Sequence, residues 1–159
     1  MTIPENLLSN LMTSTEEVFE TMVFKPLVRM PETTGEAEKK GANVVATVAF
    51  AGHRRGLVAI HSSIDAARGI ASSMLGMAED EITGEIPDAM GEVANMVAGT
   101  FRNKLAAIEP ASAIAVPTVT IGSDFSTKFP SAVRRARCPF EMEGQPIAVE
   151  LILTGEEAA

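Results

Sequence analysis

The 159-residue chain reads as an α+β fold in two pseudo-repeated halves, with helices packed on a mainly antiparallel sheet. Three observations predict this. Helical and strand periodicities alternate along the chain in the order α-β-β-α-α-β-β-β. Two pairs of short apolar runs are joined by turn residues, "AGHRRG" (51–56) and "EGQP" (143–146), as hairpins require. The stretch "EVFETMV" (17–23) of the first helix is echoed by "EVANMVA" (92–98) of the middle one, a short internal repeat that matches Glu17 to Glu92 and Glu20 to Asn95.

Residues 4–24 place Leu8, Leu11, Val18, Phe19 and Met22 on one helical face, with Thr13, Glu17, Glu20 and Thr21 opposite. Pro4 suits the first turn, where its missing N–H costs nothing. Pro26, Pro31 and Gly35 break the pattern, and "ETTGEAEKKG" (32–41) reads as a solvated loop. The runs 43–50 and 56–61 are β-branched, apolar and short, and form the first hairpin. A short helix follows over 62–77, with Ser62 or Ser63 as N-cap and Gly76 near its end. After the acidic connector "AEDEITGEI" comes the middle helix, 87–108, with Pro87 and Asp88 in its first turn and Pro110 beyond its end. A strand-like stretch interrupted by Pro117, the loop "SDFSTKFP" (123–130), and the second hairpin, 131–142 with 147–154, complete the order.

The composition bounds the function. Hydrophobic residues make up 46% and aromatics 4%, with no Trp or Tyr, so the core is aliphatic, Met and Phe. One globular domain over 1–159 is expected. The net charge of −8 argues against a nucleic-acid or anionic-membrane surface. A single cysteine, Cys138, excludes an internal disulfide and a Cys-based metal site. The N-terminus lacks the basic and apolar regions of a secretory signal, and no apolar run approaches the ~18 residues of a membrane span. A cytoplasmic location is expected.

On a helical wheel of the middle helix, Met90, Val93, Ala94, Val97, Phe101 and Leu105 fall on the core side. Asp88, Glu92, Asn95, Gly99, Arg102 and Asn103 fall on the other. Glu92 and Asn95 are separated by about 60° as i,i+3 neighbours, and Gly99 leaves a bare notch one turn beyond Asn95. Solvated polar residues are the ordinary content of such a face. Glycine is not, since each costs a helix about 1 kcal/mol relative to alanine. A carboxylate, an amide and a missing side chain together suit close approach by another molecule.

The pattern Asp-x₃-Glu-x₂-Asn-x₃-Gly, standing here as Asp88, Glu92, Asn95 and Gly99, resembles the signature of the CheC/CheX/FliY phosphatases of bacterial chemotaxis. In that family a proline follows the asparagine at a distance, and Pro117 stands in the matching region with 21 residues between. The resemblance covers essentially the whole chain and is greatest to CheX. CheC-type proteins usually carry a second Glu/Asn pair in the first helix, where this chain has Glu20 in place of the Asn.

The resemblance implies hydrolysis of the aspartyl phosphate of a CheY-like response regulator, whose receiver domain brings its own Mg²⁺; no cofactor is expected in this chain. A phosphatase for such a substrate need only place one water in line. A neutral carboxamide both donates and accepts, so Asn95 is the water-orienting residue. Glu92 is better matched to a receiver lysine as a docking ion pair. Asp88, Gly91 and Gly99 are the further contact residues, the glycines by letting the helix backbone come close. The resemblance also implies a homodimer joined at sheet edges, for which "IAVELIL" (147–153) offers a strand. The alternative is a non-enzymatic response-regulator-binding or flagellar-switch-type module of the same fold.

Other constellations are weaker. His53 and His61 lack partners at metal spacing, so no metal site is expected. No P-loop, G-x-G-x-x-G or G-x-S-x-G is present. Arg134, Arg135 and Arg137 form a basic cluster that reads as a solvated strand.

Overall fold

Two hairpins build the centre of the molecule. In a computed structural model that describes residues 3–31, 44–110, 112–123, 125 and 133–154, β2 (Val44–Ala51) pairs with β3 (Arg55–Ser62), and β6 (Arg134–Met142) with β7 (Gln145–Thr154). The second turn is closed by Glu143 and Gly144, both at positive φ, the two-residue geometry that matches the twist of the flanking strands. β3 and β7 then pair along their full length. Short strands finish the edges: β1 (Val28–Arg29) on β6, and β4 (Ala113–Ile114) with β5 (Thr118–Ile121) on β2. The seven-stranded sheet is antiparallel throughout.

The pseudo-repeat is written in this pairing. Each half is a helix, a short strand region and a hairpin: α1 (Glu5–Val18), β1, β2–β3, and then α3 (Ile86–Leu105), β4 and β5, β6–β7. The short strand of each half pairs with the hairpin of the other. The helix α2 (Ile64–Leu75) joins the halves. Ser63 caps it, its Oγ accepting the Ala66 N–H at 3.0 Å, and Gly76 ends it at φ 65°.

All three helices cover one face of the sheet. There Val44, Ala46, Val48 and Phe50 of β2, Val58 and Ile60 of β3, and Val149, Leu151 and Leu153 of β7 form one core with the buried faces of the helices. The loop read at 32–41 and residues 126–130 lie outside the described residues.

Two expectations need correction, and one strand has no counterpart in the sequence reading. β7 is no edge strand: it lies between β6 and β3, so "IAVELIL" has no free edge to offer a second copy. Its run from Ile147 to Leu153 is buried on both faces, as a central strand requires. Met22 is 49% exposed and Val23 is buried instead. The cause is a switch from α to π geometry over Phe19–Val23, whose wider turn shifts the phase by about one residue. Finally, β1 was unforeseen, because two residues between prolines carry no periodicity to read.

The basic cluster is also more than a solvated strand. Glu150, 2% exposed, accepts from Arg135 Nε at 2.8 Å and lies 3.0 Å from His61 Nε2. Burial pushes the Glu150 carboxyl up, but the hydrogen bonds and charges of His61 and Arg135 outweigh it and hold the group below its ordinary value.

Candidate functional site

The site is one face of α3, and the helix is fixed by the other. Met90, Val93, Val97, Phe101 and Leu105 are buried, with Ile86, Ala89, Ala94 and Ala98 between them. Five large side chains at about 2 kcal/mol each represent about 10 kcal/mol of apolar transfer. Phe101 meets Phe50 of β2 edge to face, centroids 6.1 Å apart. Pro87 starts the helix, and Arg102 and Lys104 stand in its last turn, where cations suit the dipole. Ile108 belongs to the turn after the helix, which ends three residues earlier than its sequence pattern.

On the opposite face Asp88 and Glu92 are exposed, Asn95 and Gly99 half-buried. Among the described residues, the side chains of Glu92 and Asn95 have no hydrogen-bond or ion-pair partner. That separates Glu92 from the glutamates of α1. Glu17, its counterpart in the repeat, lies 3.2 Å from Lys104 Nζ of α3. Glu16 makes a two-pronged bond to Arg29 of β1, at 3.0 and 2.6 Å. The Glu16 and Glu17 carboxylates are occupied in holding elements together; among the described residues the Glu92 carboxylate is not. Met96, partly buried and one turn from Glu92, adds an apolar element to the face. A methionine on the polar side of the wheel was the signal for it.

The two glycines part company. A Cβ at Gly99 would meet nothing within 4 Å, so the notch beside Asn95 is open. A Cβ at Gly91 would lie 3.4 Å from Pro117 Cγ and 3.6 Å from Val119 Cγ2. Gly91 is therefore buried beneath Pro117 and β5, and its expected exposure to a partner is corrected: the close approach it permits is by its own chain. The corresponding position in the first half is Glu16, which reaches its short strand through a salt bridge instead.

His53 is exposed in the β2–β3 turn and His61 faces Glu150, and among the described residues no three His, Cys, Asp or Glu side chains gather in a metal-binding group. Cys138 is buried in β6. No described helix is long and apolar enough to cross a membrane.

The family described as "Chemotaxis phosphatase CheX" matches residues 44–141, more than half of the chain and all of α3. The chain belongs to the CheX family. The fold agrees. A chemotaxis protein CheX from Desulfovibrio desulfuricans is similar at 24% identity over 94% of this chain and 99% of that one, with a TM-score of 0.81. A chemotaxis protein CheX from Vibrio vulnificus is similar at 22% identity over 94% and 99%, TM-score 0.82. A CheX–CheY–BeF₃–Mg²⁺ complex from Borrelia burgdorferi supplies a third similar structure, at 21% identity over 94% and 98%, TM-score 0.76. No curated protein matches the chain.

Proposed function

We propose that this CheX-family protein hydrolyses the aspartyl phosphate of a CheY-like receiver domain, with Asn95 orienting the attacking water and Glu92 docking a receiver lysine. The observation that carries the reading is the Glu92/Asn95 pair, without a side-chain partner among the described residues, on the outer face of a helix anchored by its inner face. Membership of a family described as chemotaxis phosphatase supports the substrate class, and the CheY–BeF₃–Mg²⁺ partner of the similar Borrelia protein supports the receiver as the bound species.

The chemistry fits the residue types. The receiver holds the acyl phosphate and Mg²⁺, so this chain contributes geometry and no metal of its own. Water attacks phosphorus, the bond from phosphorus to the aspartyl oxygen breaks, and the products are inorganic phosphate and the receiver carboxylate. The Asn95 amide, half-buried on a rigid helix, accepts from the water and donates to it or to a phosphoryl oxygen. Being neutral, it adds no repulsion beside the phosphoryl group. Glu92, exposed and longer, is suited to a lysine at the rim. The gain is mainly orientation of one water, realised in the transition state.

The test is the decay of an acetyl-phosphate-loaded receiver over a range of concentrations of this protein. Asn95→Ala is expected to bind the receiver but lose the rate at saturation, and Asn95→Asp to fall at least as far. Hydrolysis by Asn95→Ala at the wild-type rate would overturn the in-line water and favour a binding module that does not hydrolyse.

A further inference from the structure

The edge strand beside α3 is interrupted. Thr118 is opposite Thr47 and Ile114 is opposite Phe50, so Ala115, Val116 and Pro117 occupy a span where β2 has only Val48 and Ala49. One residue is extra: a β-bulge, held by the Ala115 N–H donating to the Ala49 carbonyl at 2.8 Å. Bulges re-aim side chains, and this one aims two. Pro117 drops onto Gly91. Val116 is thrown outward and is 86% exposed, the highest value among the large apolar side chains described.

We propose that Val116 is a specificity-determining docking residue, which favours receivers that present an apolar side chain near their phosphorylation site. The inference rests on the phosphatase reading and deepens it. Gly91 is one helical turn from Asn95, about 6 Å. A Cβ at Gly91 would lie 3.7 Å from Pro117 Cβ, so the two Cα atoms are within about 7 Å, and with adjacent Cα atoms 3.8 Å apart Val116 is within about 17 Å of Asn95. A standard interface covers about 800 Å² per partner, a disc of about 16 Å radius, so a receiver centred on Asn95 extends as far as Val116 at its rim. Because the bulge is clamped between β2 and α3, this apolar contact is ordered before binding and adds affinity at little entropic cost. A second copy of the chain is the less suitable occupant. The bulge disrupts the ladder and Pro117 offers no N–H, both of which spoil an edge for strand pairing.

The experiment measures affinity of the intact protein for a panel of fluorescently labelled CheY-type receivers loaded with Mg²⁺ and beryllofluoride. Val116→Ala is expected to weaken the tightest complex about fivefold and Val116→Asp more than 20-fold, while saturating phosphate-release rates, read separately on acetyl-phosphate-loaded receivers, stay within twofold of wild type. The control is Val28→Asp, also on the surface at 62% exposure but on the far edge of the sheet, five strand spacings or about 24 Å away. It is expected to bind normally. Val116→Asp binding within twofold of wild type overturns the proposal and leaves the phosphatase reading standing. A change in oligomeric mass with unchanged receiver affinity also overturns it, placing Val116 between copies of the chain. If the wild type binds no receiver of the panel, the phosphatase reading falls and takes this proposal with it.

Discussion

The two glycines of α3 make a prediction in which stability and activity part company. Both sit in a helix interior, where glycine costs about 1 kcal/mol relative to alanine. At Gly99 nothing lies within 4 Å of an added Cβ, so Gly99→Ala should gain that propensity in full. For a chain of this size 1 kcal/mol raises Tm by about 2–4 °C. At Gly91 the new methyl would sit 3.4–3.7 Å from Pro117 and Val119, ordinary contact distances. It adds part of the roughly 0.8 kcal/mol of a buried methyl group to the same propensity gain, so Gly91→Ala should also stabilise, by about 1–1.5 kcal/mol. Gly91→Val drives further methyls into Pro117 and should cost about 1–3 kcal/mol by overpacking. Receiver dephosphorylation should divide them differently. Gly91→Ala is covered by its own chain and should keep its half-saturating concentration within twofold. Gly99→Ala fills the open notch beside Asn95 and should raise that concentration about tenfold while the protein melts higher. Calorimetry and stopped-flow decay on the same preparations give both numbers. Unchanged half-saturation in Gly99→Ala refutes the notch as a contact, and a lower Tm in Gly91→Ala refutes the packing argument.

Glu92→Ala should weaken receiver docking with the saturating rate largely kept, and its gap from wild type should narrow as salt rises, because the wild-type ion pair is screened; titrations at two ionic strengths decide it. Changing Glu17 and Glu20 together to Ala should leave the phosphatase within a few-fold of wild type, since Glu17 is engaged with Lys104 and neither residue is an amide. A loss as deep as that of Asn95→Ala would make the α1 face a working site. Glu150→Gln should cost about 1.5–3 kcal/mol at neutral pH by denaturant melts, the range for hydrogen bonds to charged groups. The folded Glu150 titrates below its unfolded value, so its contribution is complete above about pH 4.3 and is lost as pH falls through the folded pKa; the gap between variant and wild type should close in acid. We also propose that the chain pairs with a second copy through a terminal strand of the sheet, since β7 is enclosed. A monomeric mass by light scattering at micromolar concentration would dismiss that.

The sequence alone was enough for the features whose signal is local. A helix repeats every 3.6 residues and a strand every two, so the apolar stripe from Met90 to Leu105 and the two hairpins are visible in any window of the chain. The same wheel puts Glu92, Asn95 and Gly99 on one side of α3, because helical geometry depends on nothing outside the helix. Cap and turn residues act locally too, which is why Ser63, Gly76 and the Glu143–Gly144 turn could be read as boundaries.

Long-range pairing decided the rest. The order of strands, with β7 enclosed and β1 joined to the other half's hairpin, follows from contacts between residues 85 to 113 positions apart, and no window contains them. Gly91 and Gly99 look alike in the sequence; only the packing of β5 against α3 buries one and leaves the other open. Val116 looked like one residue of an apolar strand until the register against β2 required a bulge. Met22 was misplaced because a π turn costs little in local pattern and is chosen by what Phe19 and Val23 can bury. Glu150 lay in an apolar run with no hint of a partner, and only adjacency of β3, β6 and β7 brings His61 and Arg135 to it. Local periodicity fixes which side chains share a face, whereas burial and pairing between distant segments decide which faces are covered and which are left for a partner.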